Sequence, residues 1–179
     1  GQGASALSSR SSAIVGSMIG SFDDVSTFTY MTITGSASGT ATVPAGAMFQ
    51  ATSADGYLYS AVPNGSTATH IYDVNVSTHA TTDMATVPGT PSWFYVYAST
   101  SGVLIETYET EAIPPASLYY VSYAAPTQLI QLASSAPFSS LPVLGTNSAA
   151  WIENPTIGAD ESTFMPADST VVRIGLDGA

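Results

Sequence analysis

The chain of 179 residues contains no cysteine and no lysine, and its only basic side chains besides two histidines are Arg10 and Arg173. Each absence excludes something. Without cysteine there is no disulfide framework, no thiolate nucleophile and no thiolate zinc site. With two arginines against 13 acids the formal charge is -11. A protein that neutralises phosphates needs a basic face, and an anionic membrane surface makes the same demand. This sequence can build neither. Charged residues of both signs make up only 8 % of the chain, against about 25 % in ordinary globular domains. Long apolar runs are also missing. The neighbourhood Ala13–Ile19 is broken by Gly16 and Ser17, far short of the ~20 apolar residues a spanning helix requires. The amino terminus has neither Met nor a basic segment, so it does not read as an intact signal peptide.

What is present is apolar and aromatic: 45 % hydrophobic residues, with ten Tyr, six Phe and two Trp. That is enough to build a core and argues against a disordered chain. The polar surface must come from Ser, Thr, Asn, Gln and Tyr, a habit of β-rich surface and fibre-like proteins.

Residues 1–21 are rich in Ser, Ala and Gly and read as an arm or linker. β-branched and aromatic segments follow at short spacing. They are Phe28–Thr34, Thr40–Val43, Ala47–Thr52, Tyr57–Val62, His70–Val76, Ser92–Tyr97, Val103–Ala112, Ser117–Tyr123 and Thr170–Ile174; such residues fit a pleated, half-buried surface. Thr127–Ala133 reads as a strand or a short helix. Asp55-Gly56 is a hairpin signal. Pro63-Asn64-Gly65-Ser66 is a turn in which Pro presets φ and Asn-Gly accepts a positive one. His70–Val76 alternates, with His70, Tyr72, Val74 and Val76 on one face. From Ser134 to Asp168 the chain is Pro-, Ser- and Gly-rich with little period. The reading is all-β: an antiparallel β-sandwich or jelly roll, with an extended amino-terminal arm and an irregular carboxy-terminal segment. It comprises an arm over 1–21 and one domain over 22–179, of which 116–179 is a candidate wrapping extension. No internal repeat is evident from the residues alone.

Ser101–Pro115, which runs Ser-Gly-Val-Leu-Ile-Glu-Thr-Tyr-Glu-Thr-Glu-Ala-Ile-Pro-Pro, resembles the last strand of jelly-roll coat proteins from small icosahedral RNA viruses of the tombusvirus, sobemovirus and nodavirus type. The aromatic segment Ser92–Tyr97 falls where those proteins place the penultimate strand. The pattern is one of alternation and carries no catalytic signature. Two departures are plain: such coats have a basic RNA-binding arm, and the first 91 residues are short for the rest of a shell domain. The resemblance therefore implies a carboxy-terminal or projecting domain of a coat protein, as in nodaviruses and Lake Sinai-type viruses. Some nodavirus-like coats cleave themselves after Asn; Asn147-Ser148 and Asn154-Pro155 are the late candidates here, and neither is convincing.

No constellation rises to a site. His70 and His79 lie near Asp73 and Asp83, but alternation sends His70 and Asp73 to opposite faces, so they read as structural or surface histidines. Serines are plentiful, yet no Gly-x-Ser-x-Gly elbow occurs. Glu106, Glu109 and Glu111 read as a solvated strand face, with a glycosidase pair or calcium at an interface as the sharper alternatives. Asp23-Asp24 reads as an acidic turn before a strand, and Asp160-Glu161-Ser162-Thr163 as a loop or a helix start with acids near its amino end, both with the same calcium alternative. Tyr119, Tyr120 and Tyr123 fall on both faces of one strand, so part of them suits a surface or interface, with core and cross-strand pairing as the blander reading. Asn64-Gly65-Ser66 and Asn75-Val76-Ser77 match the N-glycosylation sequon.

The sequence thus predicts a non-enzymatic structural protein, with no catalytic, cofactor or metal residue. It acts in particle assembly and host attachment on the virion surface. Its partners are symmetry-related copies and a host receptor or glycan, without nucleic-acid contact or membrane insertion. The alternatives are an extracellular adhesin or pilus-like subunit at the cell surface, and a secreted carbohydrate-binding domain.

Overall fold

The computed structural model describes residues 11–15, 18–22, 27–32, 38–42, 47–54, 56–75, 77–109, 115–136, 142–153 and 169–177. They contain fifteen strands and no helix, so the all-β, antiparallel architecture expected from the sequence is observed. The strands form four sheets. Sheet I holds β1 (Ser11–Val15), β2 (Met18–Phe22), β3 (Thr27–Thr32) and β4 (Ser38–Thr42). Sheet II holds β5 (Met48–Thr52), β6 (Gly56–Ala61), β7 (His70–Asn75) and β8 (Thr81–Thr86). Sheet III holds β9 (Trp93–Ala98), β10 (Gly102–Tyr108), β11 (Ala116–Ser122) and β12 (Leu129–Ala136). Sheet IV holds β13 (Val143–Leu144), β14 (Ser148–Glu153) and β15 (Thr170–Gly175).

In every sheet the strand order follows the chain and all pairing is antiparallel. The connections are those of a meander, and short turns suffice to make it. Ser66 N–H donates to the Pro63 carbonyl at 2.9 Å with Gly65 at φ +82°, the positive-φ turn that the Pro-Asn-Gly-Ser sequence demands.

The chain divides into two compact units, residues 1–87 and 88–179. In the first, β1 lies against β5 and β6. In the second, one face of sheet III packs on sheet IV. Leu104, Tyr108, Leu118, Tyr120 and Leu132 meet Ala149, Trp151 and Leu176 in one buried cluster.

The strands β1 and β2 fall within the segment 1–21 that reads as an arm. The division after Val87 falls inside the span 22–179 that reads as one domain. The Ser134–Asp168 stretch is not without structure, since β12 runs to Ala136 and β13 and β14 follow. β8 lies in a Thr-rich segment that is absent from the expected strands. It is a sheet edge that buries only Met84 and Ala85 fully, and polar, Thr-rich sequence is ordinary edge chemistry.

The register reveals a repeat that the residues alone do not. Ser53 N–H donates to the Gly56 carbonyl, Ser99 N–H to that of Gly102, and Gly145 N–H to that of Ser148, at 2.9, 2.9 and 2.8 Å. Each bond closes the turn between the first and second strands of its sheet. Gly56, Gly102 and Ser148 open those second strands and are spaced 46 residues apart. A Cβ on Gly56 would run into the Val74 carbonyl of the third strand, and one on Gly102 into the Val121 carbonyl. Pairing makes Val74 and Val121 equivalent, since they stand opposite Tyr57 and Val103. In sheet IV the glycine has moved across the ladder: Ser148 stands opposite Gly175. Four-stranded meanders recurring at about 40–50 residues are the unit of blade-type repeat arrays.

The repeat also explains the burial. Every residue of β6 and of β10 is buried, so both faces of these second strands are covered. A module built this way has no solvent face at its centre, and its packed antiparallel sheets are consistent with the sandwich-like fold expected from the sequence.

Candidate recognition surface and buried carboxylate

The second unit carries the most structured chemistry. β9 is the edge strand of sheet III, and alternation puts Trp93, Tyr95 and Tyr97 on one of its faces. Their rings contact in series, Trp93 to Tyr95 at 6.4 Å and Tyr95 to Tyr97 at 6.5 Å between centroids. Tyr108, across the ladder from Trp93, meets the Tyr95 ring edge-on at 6.0 Å. Trp93 and Tyr95 remain 52 % and 38 % exposed, while Tyr97 packs on the core shared with sheet IV. The row therefore begins in the core and runs out to solvent.

Behind it lies Glu106, 0 % exposed. Tyr108 Oη donates to its Oε1 at 2.6 Å and Tyr97 Oη to its Oε2 at 2.8 Å. Both carboxylate oxygens are thus engaged, as a buried polar group requires. The two phenols are clamped from behind, which fixes the inner part of the aromatic row. Glu106 is accordingly not on a solvated strand face as expected. A residue that the sequence placed with Glu109 and Glu111 as a surface acid is in the core, because its strand is covered on both sides. Glu109 lies exposed just beyond the end of β10, its carbonyl accepting from Ser92 Oγ at 2.6 Å. Glu111 lies outside the described residues, as do Asp23, Asp24, Asn154 and Asp160–Thr163.

Burial raises the tyrosine hydroxyl pKa values of Tyr97 and Tyr108 well above the ordinary value, and the hydrogen bonds to Glu106 and its negative charge add to the effect. Tyr59 in sheet II is raised in the same way, first by burial and then by the neighbouring Tyr72. An unfolded tyrosine ionises near pH 10. Above that pH the unfolded chain releases protons that the folded chain keeps, so stability is fully present below about pH 10 and falls as pH rises beyond it. A spectrophotometric titration is expected to show a fraction of the ten tyrosines ionising only as the protein unfolds. All ten titrating together near pH 10, with the fold intact, would contradict the clamp.

Close by, a cleft of about 370 Å³ is lined by Pro88, Pro91, Thr107, Glu109, Ser117 and Tyr119, among others. Its polar groups are hydroxyls and one carboxylate, a lining that suits a neutral polar ligand and opposes an anion. Of the tyrosines expected at a surface, Tyr120 is buried, Tyr119 is half-buried at the cleft and Tyr123 is half-buried.

In sheet II the structure brings His70 together with Asp83, not Asp73. His70 Nδ1 lies 2.8 Å from Asp83 Oδ2, and Nε2 lies 3.5 Å from Thr86 Oγ1. The imidazole also stacks on Tyr72, and Tyr72 on Tyr59. The order acid, imidazole, hydroxyl is that of a triad, but its hydroxyl contact is long and the cleft is lined by other residues. His70 and Thr86 are direct cross-strand partners, with Asp83 opposite Tyr72, so the cluster is the cross-strand ladder of an edge. Asp73 instead accepts from Ser53 Oγ at 2.6 Å. His79 sits in the β7–β8 turn at φ +61°, and no group of three metal-ligating side chains occurs among the described residues. Of the sequon asparagines, Asn64 is exposed in its turn. Asn75 Oδ1 already accepts the N–H groups of Ser77 and Thr78, each at 2.9 Å. Asn147 is exposed in the β13–β14 turn, where its carbonyl accepts from Leu176 N–H.

No protein-family profile and no curated protein matches this chain. Among solved structures it is similar to TolB from Acinetobacter baumannii, with 14 % identity and a TM-score of 0.49, over 89 % of this chain and 38 % of that one. This chain thus spans well under half of the structure it matches, and a likeness at this level assigns neither family nor function.

Proposed function

We propose that this chain is a non-enzymatic surface domain that attaches to a neutral glycan through the aromatic row of β9. The observation that carries the reading is the exposure of Trp93 and Tyr95, aligned on a sheet edge beside Tyr97 and Tyr108, which Glu106 holds from within. Rigid aromatic area with polar tips is the usual equipment of a recognition surface. The net charge of -11 disfavours anionic ligands. The coat-protein resemblance of Ser101–Pro115 supplies the setting, a projecting domain on a virion surface acting in host attachment and assembly.

An adhesin or pilus-like subunit remains the second reading. Its strand-donating version would have to use residues before Ser11, because β1 and β2 pair with each other and β2 with β3 inside sheet I.

The test is a tryptophan-fluorescence titration with neutral oligosaccharides. Trp151 is buried in the core between sheets III and IV, so the response should come from Trp93. Trp93→Ala is expected to abolish the signal and to weaken binding about tenfold or more, as removal of a central aromatic anchor does. Tyr95→Ala should weaken it less. Binding that survives Trp93→Ala unchanged in calorimetry, or no binding across a broad neutral glycan panel, would overturn the proposal.

A further inference from the structure

In sheets II, III and IV the 46-residue repeat makes the two faces of one sheet equivalent to those of the next, and in sheet IV one of these faces is partly exposed. In sheet III the positions Tyr97, Leu104, Glu106, Leu118 and Tyr120 share one face, and it is this face that grips sheet IV. We call it the trailing face. Sheet IV answers with its leading face, made by Leu144, Ala149, Trp151, Val172 and Ile174.

The equivalence of Gly102 and Ser148 carries these assignments across the two ladders. Leu104 corresponds to Ala150, Glu106 to Ile152, Leu118 to Val171, Tyr120 to Arg173 and Tyr97 to Val143. The five positions equivalent to that face of sheet III are therefore Val143, Ala150, Ile152, Val171 and Arg173 in sheet IV. Four are apolar. Val143 is 69 % exposed and Val171 73 %, and Arg173 is exposed as well. In sheet III the corresponding Tyr97, Leu118 and Tyr120 all pack into the core.

We propose that the trailing face of sheet IV is an interface that binds a second copy of this chain. Two observations choose that occupant. The face continues, one repeat further on, an interface that the chain already makes with its own sheets, so a sheet of the same kind fits it. Arg173 is the one arginine among the described residues, and it stands on this face of a chain with a net charge of -11. An acidic side chain of a second copy can pair with it locally, against the mutual repulsion of two chains of that charge. The contact joins unlike surfaces, so it is heterologous, and it closes into a ring or grows into a chain. It does not involve the exposed aromatics of β9, so its success or failure is separate from that of glycan attachment.

The experiment is light scattering of the full chain over a range of concentrations, beside Val171→Glu, Val143→Glu and Val62→Glu. The last replaces an exposed valine of the first unit as a control. The wild type and Val62→Glu are expected to show masses above the single chain's 18.3 kDa that rise with concentration. Val171→Glu and Val143→Glu should scatter as monomers, with unchanged circular dichroism and melting temperature. All three variants should keep the same oligosaccharide response. A wild type that stays monomeric at every concentration would overturn the inference, as would self-association that neither trailing-face substitution reduces.

Discussion

Glu106→Ala is expected to lower the folding stability by about 3 to 5 kcal/mol, from two unpaired buried hydroxyls at roughly 1–3 kcal/mol each and the void left by the side chain. Tyr97 and Tyr108 both donate to this carboxylate, and it has no exposure through which water could replace it. Urea denaturation should show a lower midpoint with an unchanged slope, the sign of lost stability without a change in the unfolded chain's compactness. Glu106→Gln keeps one acceptor and should cost about half as much or less. The sharper comparison is Glu106→Leu with Tyr97→Phe and Tyr108→Phe. Removing every polar member of a buried cluster is often near neutral, whereas removing one strands the rest. The triple variant should therefore recover most of the loss seen in Glu106→Leu alone. A loss under about 1 kcal/mol for Glu106→Ala would mean that the phenols find other partners, and the clamp behind the aromatic row would have to be given up.

Gly102→Ala should be almost as damaging, by about 3 kcal/mol, at the upper end of what overpacking costs. The added methyl would meet the Val121 carbonyl, and the Tyr120 ring and hydroxyl at 2.7 Å. The carbonyl belongs to the β10–β11 ladder and cannot move without breaking it. For a chain of this size, a loss of that order lowers the melting temperature by about 6 to 12 °C. Gly56→Ala should behave alike, since its methyl would meet the Val74 carbonyl. Gly145→Ala is the control. It lies in the corresponding turn of sheet IV, but its nearest contact, the Ser148 carbonyl, is at 3.2 Å, which a small shift relieves. Equal melting temperatures for Gly102→Ala and Gly145→Ala would remove the close approach from the account of the repeat, and with it the basis for the trailing face.

How much of this could be read without coordinates varies by element. The strands that announce themselves are those whose residues pay no regard to water: Tyr57-Leu58-Tyr59, Trp93–Tyr97 and Val103–Ile105 in their β-branched and aromatic runs. Thr127–Ala133 was ambiguous because Leu129, Ile130 and Leu132 suit either period. Its pairing with β11 made it a strand. β8 and β14 were missed for opposite reasons. Thr81–Thr86 is polar because it is an edge, and Ser148–Glu153 is short and alanine-rich, so its Trp151 is the single strong apolar signal. The repeat was missed because it preserves backbone geometry more than residues. Between sheets II and III, equivalent positions agree at Ser53 and Ser99, Gly56 and Gly102, Leu58 and Leu104, Tyr72 and Tyr119, and Val74 and Val121. Those few identities are scattered among turns of unequal length.

The fold class, the tight turns and the exclusion of basic, thiolate and spanning-helix functions are legible in the residues alone. These rest on local stereochemistry and on composition, which need no partner to act. So is the aromatic row, because alternation along one strand places Trp93, Tyr95 and Tyr97 together. Which of those rings reach solvent, that Glu106 is a core residue, that His70 meets Asp83, and which face of sheet IV is partly exposed emerge once the strands are paired and the sheets packed. Each of these depends on what lies across a ladder or on the facing sheet. Burial and partnership are properties of pairs of elements, and no single segment carries them.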